Sequence, residues 1–393
     1  MLLDGDVHSG RFGNDSEVTI LNLQETVSAL RALAKEHADD VKLSVTPFRT
    51  AEEREQIFAL VGGDAPRVLV LAGAHPRERG GPDHVLHALA DMLAARARGA
   101  GLRFGNGSRS YSAAEVRTAL SAGIAVLPVV NPDGVAYDQA TSSCWRKNRN
   151  PAGAVDLNRN YGYLWDSDRL FAPAYGCYGG PISSPNPASG IFRGTGPLSE
   201  PETRGVAWLM KSLRSLVWSV DVHSFGPLVL YGWGNDKMQT TKPHMSFTNK
   251  TYDGLRGKRD GFKPEVEYGE FIEADDLHAL ETVSSRMATA MTRAGRETYV
   301  AGPLSSLYIS GGTAFDQALG PYYAHDCGAH RINGMAIEFG VETDVSSCKF
   351  YPDAANYRQA KAQVAVGLME LLLTAASDEV KTKIWTCPEV VGV

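Results

Sequence analysis

No stretch of the chain reaches the roughly 18 to 20 uncharged apolar residues that a membrane-spanning helix needs, so a membrane is not expected among its partners. Nor is there an excess of positive charge. Lys and Arg number 39 against 45 Asp and Glu, a formal net charge of −6. A nucleic-acid surface needs clustered cations to displace counterions from phosphate, so nucleic acid is not an expected partner either. The signature of disorder is also missing: 43% of residues are hydrophobic and 21% charged, enough to bury a large core. The start, MLLDGDVHSGRFGNDSEV, has no basic segment followed by an apolar run and does not look like a secretory signal peptide. The expectation leans to the cytoplasm unless the chain is a processed form. The five cysteines, Cys144, Cys177, Cys327, Cys348 and Cys387, contain no Cys-x-x-Cys pair, which leaves two disulfides plus a free thiol or a fully reduced set. There is no internal repeat and no low-complexity run.

What the chain does have is four short apolar, β-branched segments that predict buried strands: Arg67–Ala72, Ile124–Val130, Leu216–Val222 and Gly334–Phe339. Helical spacing runs between and around them. Pro82–Arg98 opens with Pro82 and Asp83 and repeats Val85, Leu86, Leu89, Met92 and Leu93, and Glu202–Leu213 follows a Ser-Glu-Pro-Glu start. Leu23–His37 and Ala355–Ala375 predict flanking amphipathic helices. Strands alternating with helices indicate an α/β fold, a single domain over 1–393 with an open mixed, largely parallel sheet flanked by helices. Its motif-bearing core is expected over about 66–375, with 376–393 as a tail or edge element. Pro173–Pro197 is expected to be a long surface loop within that domain, and Gly234–Thr298 an insertion shaping one side of a site.

The first strand runs into Gly73-Ala74-His75-Pro76-Arg77-Glu78, where an imidazole and a carboxylate three residues apart can face one divalent ion. Alone, His-x-x-Glu is more often an ordinary polar loop. The third strand, however, ends in His223-Ser224, and in open α/β sheets sites form beyond the carboxyl ends of the strands. The fourth strand carries Glu338 between Ile337 and Phe339. A carboxylate in so apolar a strand needs an opposing charge: either a buried Arg partner or, as preferred here, a general base beside a metal. Between the second and third strands lie Cys144-Trp145-Arg146-Lys147-Asn148-Arg149 and Asp156-Leu157-Asn158-Arg159-Asn160, following the turn Asn131-Pro132-Asp133-Gly134. Their guanidinium forks suit a carboxylate or an oxyanion.

In this combination the sequence resembles the zinc metallocarboxypeptidases of the pancreatic carboxypeptidase A type, in motif order from about His75 to Gly340. The resemblance implies one zinc ion per chain held by His75, Glu78 and His223, Glu338 as the general base, and Arg146 as the stabiliser of the oxyanion. It gives Asn158 and Arg159 to the substrate's terminal carboxylate and makes Arg77 a further cation of the cleft. Tyr308, eight residues before Asp316, corresponds to the family's mobile Tyr, although the Gly311-Gly312 pair is displaced by one position. Arg79 stands where an aromatic residue often follows the motif Glu. The implied reaction is hydrolysis of the C-terminal peptide bond of peptides or proteins by Glu-assisted attack of a zinc-bound water.

The family's preference-setting position at the base of the side-chain pocket falls on Phe315. Leu230, Gly234, Ser310 and Ala336 occupy positions like other pocket residues, and none is charged, so apolar or aromatic C-terminal residues are expected to be favoured. The 66 residues before Arg67 leave no room for both a prosegment and the first strands, so none is expected. Cys144 with Cys177 and Cys327 with Cys348 are the candidate disulfides, and a monomer is expected. Two other readings stay open: a zinc amidase or peptidoglycan stem-peptide carboxypeptidase on the same site, and a non-catalytic relative. The second should have lost a ligand or the base, and all are present.

Overall fold

All four apolar segments enter one sheet. In the computed structural model, which describes residues 2–4, 20–172, 182–236, 238–257, 268–344, 346–377 and 380–387, its strands are β1 (Val41–Arg49), β2 (Glu55–Val61), β3 (Val68–Ala72), β4 (Ile124–Leu127), β5 (Trp218–Ser224), β6 (Leu228–Tyr231), β7 (Val300–Pro303) and β8 (Asn333–Phe339). They hydrogen-bond in the order β7-β6-β8-β5-β3-β4-β2-β1. The middle strands β8, β5, β3 and β4 run parallel, and so do β7 and β6; β8/β6, β4/β2 and β2/β1 are antiparallel. Strands covered on both faces carry continuous apolar runs, as the wholly buried β3 and β4 do. The predicted strand Ile124–Val130 stops at Leu127, before Pro128.

Helices cover both faces: α1 (Leu23–Glu36), α2 (Gly81–Ala97), α3 (Ala113–Ser121), α4 (Pro132–Thr141), α5 (Pro201–Ser212), α6 (Ala274–Arg293), α7 (Ala314–Tyr323) and α8 (Ala354–Ala376). α1 starts on a capping box in which Asn22 accepts from the Glu25 amide and Glu25 answers the Asn22 amide. α2 is buried along its length from Gly81 to Ala95, and its start needs glycine. Gly80 has φ +105, and a Cβ on it would stand 3.2 Å from the His84 ring. The expected insertion contains a structural layer, because Leu280, Val283, Met287 and Met291 of α6 belong to the main apolar core. Among the described residues no helix is long and apolar enough to cross a membrane.

The cysteine pairings differ from expectation. Cys144 bonds Cys348 and Cys327 bonds Cys387, with Cα separations of 5.4 and 5.3 Å, while Cys177 lies outside the described residues. The loop after β8 folds back over the segment carrying Cys144, which takes Cys348 away from Cys327. Cys327 is met instead by the end of the chain. There Arg331 donates to Lys383 O, Trp385 donates to Ala329 O, and Ile384 bridges His330, so residues 380–387 form an edge element. Of the expected loop at 173–197, residues 173–181 are outside the described set, and 182–197 form turns.

Candidate active site

β3, β5 and β8 end side by side, and each delivers a polar group to the same crevice. Gly73, with φ +65, turns the chain out of β3 toward His75. In the sheet register Ala72 faces Val222 and His223 faces Glu338, so the end of β5 sets its imidazole beside the carboxylate of β8. Glu78 completes the group. Its Oε1 lies 2.8 Å from His75 Nδ1 and its Oε2 2.8 Å from His223 Nδ1, and all three residues are buried. Their ligand atoms lie within 4.8 Å of one another.

Two further carboxylates stand behind the imidazoles. Asp156 Oδ1 is 2.9 Å from His75 Nε2, and Asp221 Oδ2 is 2.8 Å from His223 Nε2. Such partners fix the ring and leave Nδ1 as the ligand atom. Burial disfavours the His223 imidazolium, but Asp221 and Glu78 outweigh it and hold the ring well above its ordinary pKa. Burial likewise works against the Glu78 carboxylate, and His75 and His223 overcome it, holding Glu78 far below the usual range. Two imidazoles and a carboxylate, set in negative surroundings and backed by carboxylates, are the donor set of a catalytic zinc site with an open coordination position. The residues fit the ion.

The cations line the same cleft. Arg146 donates from Nε and Nη2 to Asp156 Oδ2 at 3.0 and 2.8 Å, and its Nη1 stands 3.8 Å from Glu78 Oε1. Arg77 lies with its guanidinium 4.0 Å over the Phe350 ring, its pKa lowered by burial and by Arg146. Asn158 and Arg159 sit on a short 3₁₀ turn that begins at Asp156. Asn158 Oδ1 accepts from the Ala314 amide at the start of α7, and Arg159 donates to Ile182 O and stands 5.5 Å from the Tyr308 ring. The Glu338 residue keeps some surface open to the cleft, but its carboxyl is shielded. That burial pushes it up to about 8, against the pull of His223.

Phe315, Leu230 and Ala336 form a buried apolar cluster with Leu304, against which Leu228 packs. Leu228 is the register partner of Glu338, so the cluster lies under the base. Gly234 and Ser310 border it, joined by a 2.9 Å backbone bond. Glu270, an acid of the neighbouring stretch, is turned away to Tyr268, Asn235 and the Phe247 amide, and burial pushes it up to about 7.

A family model described as zinc carboxypeptidase matches residues 26–363. The chain belongs to the zinc carboxypeptidase family. Carboxypeptidase A2 of Rattus norvegicus is 27% identical over 265 residues, 65% of this chain and 49% of that protein. Human carboxypeptidase O is 34% identical over 141 residues, 34% of each chain. The chain thus spans about half the length, 49%, of the carboxypeptidases A2 it matches. Among solved structures, carboxypeptidase A of Helicoverpa armigera superposes with a TM-score of 0.64 at 21% identity, covering 94% of this chain and 77% of that one. Bovine thrombin-activatable fibrinolysis inhibitor, in complex with tick carboxypeptidase inhibitor, gives 0.63 at 19%, covering 91% and 97%. These likenesses bear out the α/β fold with its mixed, largely parallel sheet.

Against that family background, sequence reasoning missed the residues behind the ligands. Asp221 lies in the apolar strand that was read, two places before His223, and the argument applied to Glu338 applies equally to it. Asp156 opens the Asn158-Arg159 motif but shows no sign in sequence of its contact with His75.

Proposed function

We propose that this zinc carboxypeptidase homologue hydrolyses the last peptide bond of peptides or proteins, favouring apolar or aromatic C-terminal residues, as a monomer with one zinc ion. The observation that carries the reading is the register of β5 and β8. It puts a shielded carboxylate, Glu338, opposite the ligand His223, with anion-binding groups across the same crevice. Zinc held by His75, Glu78 and His223 would supply Lewis acidity, polarising a peptide carbonyl and lowering the pKa of a water from about 15.7 toward about 7.

Glu338 takes the proton from the attacking water and passes it to the leaving amine. Its place opposite His223 at the end of β8 puts one carboxylate within the crevice for both duties. Arg146, held by Asp156, donates to the oxygen on which negative charge develops. Asn158, Arg159 and Tyr308 hold the free C-terminal carboxylate, which restricts cleavage to the last bond. The apolar cluster of Phe315, Leu230 and Ala336 receives the terminal side chain, and a Lys or Arg there would meet no opposing charge among the cluster residues.

Release of the terminal residue from hippuryl-Phe and hippuryl-Arg by wild type and Glu338→Gln tests the reading. We expect hippuryl-Phe to be cleaved at least about tenfold faster. Glu338→Gln should lose about 10²- to 10⁴-fold in kcat with bound zinc unchanged. Faster release of Arg would overturn the pocket assignment, and an active Glu338→Gln would overturn the assignment of the base.

A further inference from the structure

The loop that presents Arg146 is pinned by a buried carboxylate with no part in the chemistry just described. Asp138, in the last turn of α4, is wholly inaccessible to solvent. Its Oδ1 accepts from the Trp145 amide at 2.7 Å and from Tyr351 Oη at 2.8 Å; its Oδ2 accepts from Arg79 Nε at 2.9 Å. Each donor belongs to a different part of the site. Trp145 immediately precedes Arg146, and its carbonyl accepts from the Arg77 amide at 2.8 Å, so both backbone polar groups of that residue are fixed. Arg79 immediately follows the ligand Glu78, and its guanidinium lies 3.8 Å over the Tyr351 ring. Tyr351 Oη also accepts from the Cys144 amide at 3.0 Å, and Cys144 is bonded to Cys348.

We propose that Asp138 is a positioning residue for Arg146, gathering the metal-ligand loop through Arg79, the Arg146 loop through Trp145 and the segment after β8 through Tyr351. The inference rests on the reading of Arg146 as the group that meets the developing negative charge. An arginine held by one fork to Asp156 still pivots with its backbone, and a shift of about 1 Å in such a group costs rate without costing substrate binding. Asp138 supplies the backbone restraint. It also explains why Arg79 is tolerated beside Glu78, because its charge is answered by the Asp138 carboxylate and its plane by the Tyr351 ring.

The test is a double-mutant cycle on Asp138→Asn and Arg146→Ala, with kcat, KM, zinc content and amide exchange of the 142–149 peptide measured for each. In Asp138→Asn one carboxylate oxygen becomes an NH₂, which at Oδ1 faces the Trp145 amide and Tyr351 Oη and at Oδ2 faces Arg79 Nε, so at least one pin is lost with little change of volume. The expected result is a kcat about tenfold lower with KM within about twofold, unchanged zinc content and faster exchange across 142–149. In the Arg146→Ala background the same substitution should leave kcat within about twofold. Tyr351→Phe, which removes the acceptor for Cys144, should act in the same direction and likewise have no effect in Arg146→Ala; it serves should Asp138→Asn not fold.

An equal loss of kcat from Asp138→Asn in both backgrounds, an unchanged kcat, or a loss that tracks missing zinc would overturn the inference alone. If Arg146→Ala by itself leaves kcat unchanged, the oxyanion reading falls and the inference with it.

Discussion

Replacing Asp156 by Asn removes one negative charge from a buried position while keeping its shape, and the contacts allow the cost to be divided. The carboxylate serves both halves of the site. Oδ1 meets His75 Nε2 at 2.9 Å and the Asn158 amide at 3.2 Å, and Oδ2 meets Arg146 Nη2 at 2.8 Å and Nε at 3.0 Å. An amide can keep an acceptor toward one pair only. With oxygen toward His75, the NH₂ faces the guanidinium, and two charge-assisted bonds of about 1.5–3 kcal/mol each are lost. With oxygen toward Arg146, the NH₂ faces the His75 N–H, and zinc affinity is expected to fall by about 10- to 100-fold.

Hippuryl-Phe turnover at saturating zinc reads the first loss, and zinc competition against a fluorescent chelator reads the second. The expected combination is a zinc affinity at least about tenfold weaker or, where zinc is retained, a kcat about 10²-fold lower, the usual cost of one oxyanion donor. Burial opposes the ionised form of Asp156, yet Arg146 and His75 hold its pKa well below the ordinary carboxylate value, so its charge persists throughout the working pH range. A variant that binds zinc within about twofold of wild type and turns over at an unchanged rate would refute the claim that this carboxylate orients either group.

Two stability predictions follow from groups outside the chemistry. Asp83 is buried against the Leu21 amide and Tyr357 Oη, and burial pushes it up to about 7, whereas the unfolded value is about 3.9. Its contribution is therefore fully present below about pH 3.9 and is lost as pH rises through about 7, a slope of up to about −1.4 kcal/mol per pH unit between those values. Chemical denaturation at pH 4.5 and 6.5 should show Asp83→Asn declining less with rising pH than wild type, and identical pH dependence would contradict the assignment. The Cys144–Cys348 bond closes a loop with a sequence separation of 204, and the chain-entropy model assigns it about 5 kcal/mol. The paired serine variant should lower the urea midpoint accordingly; a loss below about 1 kcal/mol would refute the chain-entropy assignment.

The centre of the fold was open to sequence reading because strands buried on both faces are rich in apolar residues: β3 and β4 are apolar throughout, and β5 and β8 set only a few polar residues among Trp218, Val220, Val222, Met335, Ile337 and Phe339. β1 and β2, at the edge, mix exposed and buried positions, and β6 and β7 are only four residues each; none contrasts enough with the loops to be picked out. The same contrast exposed the site. Polar groups in or just beyond apolar strands need a partner, and that argument found His223 and Glu338, though it applied to Asp221 as well.

Contacts between loops follow another logic. Cys144 and Cys348 are brought together by the return of the chain after β8, and Arg79 with Asp138 by the packing of α4 against the metal-ligand loop; neither pairing leaves a periodic trace. Arg79 shows the consequence. In sequence it is only a cation where an aromatic residue often stands, whereas in the fold its charge faces Asp138 and its plane lies on Tyr351, so an aromatic surface is still present at that place but is contributed by a residue 272 positions later. A departure from a family pattern can thus be compensated through space, and such compensation becomes visible only when both partners are placed.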